Sequence, residues 1–272
     1  MIVPDGTGTY EPGFLLVPFE GAAVEELPQQ IRERLDAEGL LHMPYNPVLV
    51  RVPDATILVD AGAGRELAEE WDEPVGLALD SLASAGVDRA EVDVVVITHG
   101  HPDHVGGLTE LGDDGERIPV FPSARHVISR VEWHFWMEDT DHDPSARMAP
   151  VTRPHLAALR DAGVLDLVDG GHEIALGVTL FPTPGHTPGH VSVLVRSEWE
   201  TCVVAGDAIM TEWGFEHPEW TARPEVDPEL TIASRRALLD RLVADDGLLT
   251  AYHVPGMGHV RAAGEVYEFV TD

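Results

Sequence analysis

The segment Thr98-His99-Gly100-His101-Pro102-Asp103-His104 packs three histidines and one aspartate into six consecutive positions. Neutral imidazole and carboxylate are the ligands that suit zinc and its first-row neighbours. In a loop leaving a strand, alternate residues point the same way, so His99 and His101 can share one ion. Asp103 and His104 lie one step further and can turn toward a second ion. Gly100 and Pro102 permit the tight path, and Gly106-Gly107 follow where a helix begins. Capping a helix needs one polar side chain at its start, so four ligand-type residues exceed that purpose. One loop cannot complete two sites, and the remaining ligands must come from other strand ends. Three segments qualify: Thr183-Pro184-Gly185-His186-Thr187-Pro188-Gly189-His190, Gly206-Asp207, and His253. His186 and His190 compete for one position. His253 and His259 compete for another, and the place directly after a strand favours His253. Of the 14 histidines, His42, His126, His155 and His172 are expected at the surface or in the core, and His134, His142 and His217 carry no assignment.

Short apolar runs alternate with helical patterns along the chain. Residues 48–52 and 56–59 read as strands joined at Pro53 and Asp54, and the second feeds the loop Asp60-Ala61-Gly62-Ala63-Gly64. Residues 80–85 are helix-like and stop at Gly86. Residues 92–98 form a continuous apolar run, expected as a strand buried on both faces. Residues 124–128 are a further strand. Ser129 then stands where it would cap a helix over 130–137, with Glu132 completing a capping box. Residues 138–150 are polar and hold Pro144 and Pro150, which predicts a loop able to act as a lid. A helix is expected over 154–162, ended by Gly163, and strands over 178–181, 191–195 and 201–205. Leu238, Leu239 and Leu242 share one stripe of a long helix over 230–243, and residues 248–252 read as the last strand. Two strands, ending at His99 and at Asp207, both stop in loops that carry metal-type residues.

The 272 residues show no break in composition, which predicts one α/β domain over 1–272. A chain of this length buries about 75% of its unfolded surface and needs no staples. Lys+Arg is 17 against 48 Asp+Glu, a net charge of −31, and every basic residue is Arg. Such a charge repels a phosphate backbone and an anionic membrane surface, so neither nucleic acid nor membrane is an expected partner. The 44% apolar content excludes a disordered chain. A folded core under so acidic a surface resembles proteins adapted to a salt-rich cytoplasm, where salt screens carboxylate repulsion, with an arginine-biased, acidic proteome as the alternative. The single cysteine, Cys202, excludes an intrachain disulfide and sits in an apolar run as a core thiol. No apolar stretch approaches a membrane span of about 20 residues. Residues 1–10 lack the basic and apolar regions of a signal peptide, so the expected location is cytoplasmic.

His99-x-His101-x-Asp103-His104, followed by His186, Asp207 and His253, resembles the metallo-β-lactamase-fold hydrolases along nearly the whole chain. Asp60, in Ile57-Leu58-Val59-Asp60-Ala61-Gly62, matches that family's early strand-end aspartate. The resemblance implies a four-layer αβ/βα sandwich, two mixed β-sheets flanked by helices, with the site along one edge. It implies that His99, His101 and His186 bind one metal, that Asp103, His104 and His253 bind the other, and that Asp207 bridges both with a water or hydroxide. His186 is preferred because it occupies the family's first Gly-His, with His190 supporting the loop. Asp60 accepts a hydrogen bond from a ligand histidine and fixes its tautomer. Two cations around a shared water lower its pKa from 15.7 toward about 7, which makes hydrolysis the expected reaction. No serine or cysteine nucleophile is needed, and Asp103 or Asp207 can carry a proton to the leaving group. The expected cofactors are two divalent ions, zinc first, with iron or manganese compatible. The family's diiron oxygen-reducing branch usually carries Glu where this chain has His101, which opposes a redox reading.

The subgroup resemblance is to lactonase-like and organophosphate-hydrolase-like members, through residues 125–133 and the His253 segment. The expected partner is thus a small-molecule substrate with an ester-type bond, an acyl lactone first, then related carboxyl esters and phosphotriesters. A homodimer is compatible with the sequence. Some lactonases carry Tyr three residues after the bridging Asp, where this chain has Met210. Trp133, Phe135, Trp136, Trp213, Phe215 and Trp220 fall in two segments near the presumed mouth, where each can either line an apolar pocket for an acyl chain or aromatic group or pack in the core. RNA-processing members need basic contacts that this charge denies. Glyoxalase-II-like thioesterases usually add a C-terminal helical part, and only residues 260–272 follow the final site here. True β-lactamases are normally secreted, and residues 1–10 show no such signal. Two other classes remain as alternatives: a mononuclear iron dioxygenase acting on thiols or persulfides, and a non-catalytic metal-binding protein of the same fold.

Overall fold

A computed structural model describes residues 1–138 and 147–271. His142 and most of the expected 138–150 loop therefore lie outside the described residues. Two sheets dominate. The five-stranded sheet runs Val48–Val52, Ala55–Val59, Val94–Ile97, Arg125–Ser129, Leu165–Val168 in spatial order. Its first pair is antiparallel and the other three pairings are parallel. The seven-stranded sheet runs Glu173–Ala175, Val178–Pro182, Val191–Arg196, Thr201–Val204, Leu248–Thr250, Gly258–Ala263, Val266–Thr271. It is antiparallel except where Thr201–Val204 and Leu248–Thr250 pair in parallel. Both sheets are mixed, as the resemblance implied.

The period-two alternation of strands places one set of side chains between the sheets and the other set beneath the helices. Ile57, Val59, Val94, Val96 and Val127 meet Val178, Leu180, Val191, Val193 and Val204 in the inter-sheet core. Their strand neighbours Leu58, Val95, Ile97 and Ile128 face outward and pack with Leu82, Leu156 and Leu159 from flanking helices. On the far side, Val203, Leu249 and Val260 pack beneath Leu238, Leu239 and Leu242 of the helix Pro228–Asp245. Beta-branched side chains buried on both faces make Val94–Ile97 the central strand that the continuous apolar run predicts.

Several boundaries differ from expectation for local reasons. The helix expected over 154–162 is Ala149–Asp161, because Pro150 sits in the first turn, where no N–H partner is needed. Leu248–Thr250 is not the last strand. A hairpin of Gly258–Ala263 and Val266–Thr271 follows it and completes the sheet edge. Gly6–Tyr10 and Leu41–Tyr45 form a separate two-stranded sheet, and Thr109–Leu111 and Arg117–Pro119 form another. Ser129 does precede the helix Arg130–Met137, but its side chain makes no cap bond. Glu132 is not part of a capping box and is used elsewhere. None of the described helices is long and apolar enough to cross a membrane.

Candidate metal centre

The ends of both sheets deliver the site. Val94–Ile97 hands over to His99 and His101, and the short helix Pro102–Val105 carries Asp103 and His104. His101 is extended (ψ 148°), as a residue before proline must be, and this turns the chain into that helix. From the seven-stranded sheet come His186, between Val178–Pro182 and Val191–Arg196, Asp207 in the turn Gly206–Ala208, and His253 after Leu248–Thr250. Gly106 and Gly107 lie where the Asp60 loop passes: a Cβ would stand 1.9 Å from the Ala63 oxygen and 2.1 Å from the Ala61 oxygen. Only glycine allows this approach.

All seven residues expected as ligands come together, in two groups: His99, His101, His186 and Asp207, and then Asp103, His104 and His253. In the first, His99 Nε2 and His186 Nε2 each stand 2.9 Å from His101 Nδ1. Thr98 Oγ1 donates to Asp60 and can only accept from His99 Nδ1 at 3.0 Å, which leaves the His99 Nε2 lone pair aimed at the common centre. Asp207 Oδ2 is 3.3 Å from His186 Nε2 and 3.7 Å from His99 Nε2. In the second group, His253 Nε2 lies 3.3 Å and His104 Nε2 3.5 Å from Asp103 Oδ2. Asp207 reaches this group too, 3.4 Å from His104 Nε2 and 3.5 Å from His253 Nε2. Ligands about 2.0–2.1 Å from a tetrahedral zinc stand about 3.4 Å apart, which the carboxylate–imidazole spacings match. His104 Nε2 and Asp207 Oδ1 are buried without a hydrogen-bond partner. A divalent cation satisfies such orphaned acceptors, so the donor set fits the ion that it implies.

The two groups differ electrostatically. Burial pushes His99 and His186 well below the usual imidazole value and His101 to about 4, leaving neutral rings with lone pairs. Burial also opposes charge on His104 and His253, but Asp207 and Asp103 outweigh it, raising His104 well above its usual value and His253 to about 9. Burial likewise disfavours the charged carboxylates, yet His104 and His253 hold Asp103 and Asp207 below the carboxylate range.

A ring of fully engaged groups holds the ligands. Asp60 sits in the left-handed region (φ 60°) and accepts from Thr98 N at 2.9 Å, Thr98 Oγ1 at 2.8 Å and His104 Nδ1 at 2.8 Å. That contact leaves His104 Nε2 free for the centre. Tyr252 donates to the Asp103 carbonyl at 2.6 Å, and its ring lies 3.8 Å from that of His104. His190 spends both nitrogens on protein partners: Nδ1 on Thr183 Oγ1 at 2.8 Å, and Nε2 as acceptor from Asp207 N at 3.0 Å. Its place is to steady the His186 and Asp207 loops. His259 lies on the strand Gly258–Ala263, near Asp246 rather than the cluster. His134 pairs with Glu138, His42 with Asp36, and His217 stacks on Trp220.

Glu132 is a residue that sequence reasoning misplaced. Its buried carboxylate accepts from Gly100 N at 2.9 Å, Trp136 Nε1 at 2.6 Å, Thr187 Oγ1 at 2.7 Å and Gly189 N at 3.0 Å. It thereby ties the His99–His101 loop to the His186 loop across the two sheets. Arg235 was missed altogether. Fully buried on the helix Pro228–Asp245, it donates to the carbonyls of Ala208, Pro218 and Trp220 and to Glu225. It clamps the stretch that follows Asp207.

A cavity of about 480 Å³ opens onto His101, Asp103, Asp207 and His253, with apolar walls from Tyr10, Phe14, Tyr45, Trp71, Met148 and Met210. Of the two places open to the six aromatics, pocket wall and core, they take the second. Trp133, Phe135 and Trp136 pack in the core behind the five-stranded sheet. Phe215 stacks on Phe269 at 4.7 Å, and Trp213 and Trp220 pack with the N-terminal segment. Helix amphipathicity accounts for the first three, whose shared face points to the core.

The family model described as "Metallo-beta-lactamase superfamily" matches residues 42–253. The chain is 27% identical over 169 residues to a probable metallo-hydrolase, YflN, of Bacillus subtilis. That match covers 58% of this chain and 57% of the other, so the chain spans a little over half of that relative's length. It is 25% identical to an N-acyl homoserine lactonase of Bacillus thuringiensis, covering 76% of this chain and 80% of that protein. The solved structure of AidC, described as a dizinc quorum-quenching lactonase in complex with a product, superposes with a TM-score of 0.85. It is 25% identical, and the match covers 100% of this chain and 93% of that one.

Proposed function

This chain belongs to the metallo-β-lactamase superfamily, and from that premise we propose that it is a two-metal hydrolase of ester-type bonds, with acyl lactones first among its substrates. One observation carries the reading: two groups of ligand-type side chains share Asp207 at the floor of an apolar cavity large enough for an acyl chain and a lactone ring. His99, His101 and His186 would hold one divalent ion, Asp103, His104 and His253 the other, with Asp207 between them. Two such ions supply Lewis acidity toward a carbonyl or phosphoryl oxygen and a hydroxide nucleophile at neutral pH.

The chain's own residues set the rest. Asp60 and Glu132 keep the ligand loops in register. The apolar walls exclude water from the acyl group and hold it beside the ligands. Asp103, with a side chain 14% exposed against 2% for Asp207, is the carboxylate better placed to carry a proton to the departing oxygen. The lactonase similarities in sequence and in fold support a lactone as the first substrate to test.

The test is proton release in a pH-stat, with zinc supplied, at high and low salt. The panel spans acyl lactones, aryl phosphotriesters, aryl esters, thioesters and β-lactams, and an Asp103→Asn variant serves as the blank. Lactone turnover well above the others, lost in the variant, is the expected result. Two bound metals with no turnover of any ester would falsify the reading.

A further inference from the structure

Tyr10 and Tyr45 close two strands that pair antiparallel, with Gly6 opposite Tyr45 and Tyr10 opposite Leu41. The tyrosines therefore start from opposite ends of the ribbon, yet their hydroxyls meet in a hydrogen bond. Gly8 makes this possible: a Cβ there would stand 2.5 Å from the Tyr45 hydroxyl, which lies across it. Two hydroxyls carry two hydrogens, and the bond between them uses one. Neither hydroxyl makes another hydrogen bond among the described residues, so one O–H of the pair is left to face the cavity. Both tyrosines line the cavity with Asp103, Asp207 and His253, and the Tyr45 ring stands edge-on to the His253 ring at 5.2 Å. The other polar side chains of that cavity offer little donation. Glu70, Glu73, Asp103 and Asp207 are carboxylates, and the Thr9 hydroxyl is spent on Glu73 at 2.9 Å. Arg147 and the Trp71 indole N–H are the other donors in its wall.

We propose that the Tyr10–Tyr45 hydroxyl pair donates a hydrogen bond to an oxygen of the substrate's ester group in this cavity. The inference rests on the ester-hydrolase reading. One phenol buttresses the other, which fixes the direction of the spare O–H before substrate arrives. A donor aimed in advance at an oxygen that gains negative charge costs no reorganisation during the reaction.

The experiment uses the full-length, zinc-loaded protein with N-hexanoyl homoserine lactone and the best other ester of the panel. The variants are Tyr10→Phe, Tyr45→Phe, the double variant, and Gly8→Ala, which displaces the Tyr45 hydroxyl while keeping both phenols. The double variant is expected to lose kcat by on the order of 10²-fold, as for one preorganised donor, with KM and bound zinc little changed. Each single variant keeps one hydroxyl and falls between. A double variant with wild-type kcat, or a loss that only follows zinc content, overturns the proposal while leaving the hydrolase reading intact. Wild type that turns over no ester brings both down. Should the double variant fail to fold, the single variants and Gly8→Ala decide: lower kcat at full zinc supports the pair, and unchanged kcat overturns it.

Discussion

Two populations of buried histidine occupy different places in the fold, one in loops at the strand ends and one in the packing between the five-stranded sheet and its helices. At the strand ends, His99, His101 and His186 are buried and shifted well toward the neutral form. Behind the sheet, His126 and His155 are equally buried, and burial pushes them to about 4 and about 3. Neither burial nor a depressed pKa distinguishes the two. Direction does. The strand-end rings aim nitrogens at one another across 2.9 Å, with Asp207 beside them, whereas His155 spends a nitrogen on Thr109 Oγ1 at 2.8 Å. His126, whose ring nitrogens are buried without a hydrogen-bond partner, belongs to neither group of converging ligand-type residues among the described residues. A site is thus recognised by the convergence of lone pairs, and a buried imidazole alone remains a core residue.

The largest effect belongs to the carboxylate on which both groups converge. Asp207→Asn removes the charge that faces His104, His253, His99 and His186. Activity on the best ester should fall by at least about 10³-fold, or roughly 4 kcal/mol of barrier, and the number of metals per chain by elemental analysis should drop with it. Retention of both metals at full activity would break the convergence criterion.

Next comes Glu132→Gln. The amide has one acceptor oxygen and two hydrogens of its own, and it would face the N–H groups of Gly100, Gly189 and Trp136. The loss of charge-assisted bonds in a buried position is worth about 3 kcal/mol, seen as a Tm lower by roughly 6–12 °C. Zinc affinity should weaken by about 10–100-fold, because this carboxylate positions both ligand loops. Unchanged zinc affinity would make Glu132 a core residue like His126.

Asp60→Asn sharpens the same contrast on the other group. One amide oxygen cannot accept from Thr98 N, Thr98 Oγ1 and His104 Nδ1 together. Zinc affinity should fall by about tenfold, at the lower end for an outer partner, measured by competition with a chelator. An unaltered affinity would show that the ring of His104 is held by its stacking on Tyr252 alone.

The seven converging residues were legible because their spacing and strand-end placement are local properties, and the apolar runs marked the inner strands of both sheets. What the sequence hid depends on distant partners. Ser129 and Glu132 obey the spacing of a capping box, but four donors from three segments claim the Glu132 carboxylate. Trp133, Phe135 and Trp136 look alike as pocket or as core until the helix is docked. The actual cavity wall includes Tyr10 and Tyr45 on a ribbon of Gly-Thr-Gly-Thr-Tyr and Leu-His-Met-Pro-Tyr, where glycine and proline mask the strand signal.

His126 offers the smallest effect and the most direct probe of a buried imidazole that serves no site. Burial lowers it to about 4, opposed in part by the nearby Ala124 and Val164 backbone. An unfolded histidine titrates near 6.5, so between about 6.5 and 4 the unfolded chain binds a proton that the folded chain refuses. Stability from this group is therefore fully present above about 6.5 and falls as pH decreases, by at most about 1.4 kcal/mol per pH unit. His126→Leu removes the titration and the unpartnered nitrogens together. The variant should be at least as stable as wild type at pH 8, and should gain a further ~1 kcal/mol relative to it by pH 5.5. Urea unfolding of both proteins, stripped of metal so that the strand-end histidines titrate alike in each, measures the difference. A gap that does not change with pH would mean that the ring titrates alike in the folded and unfolded chains, and burial would then not hold this histidine neutral.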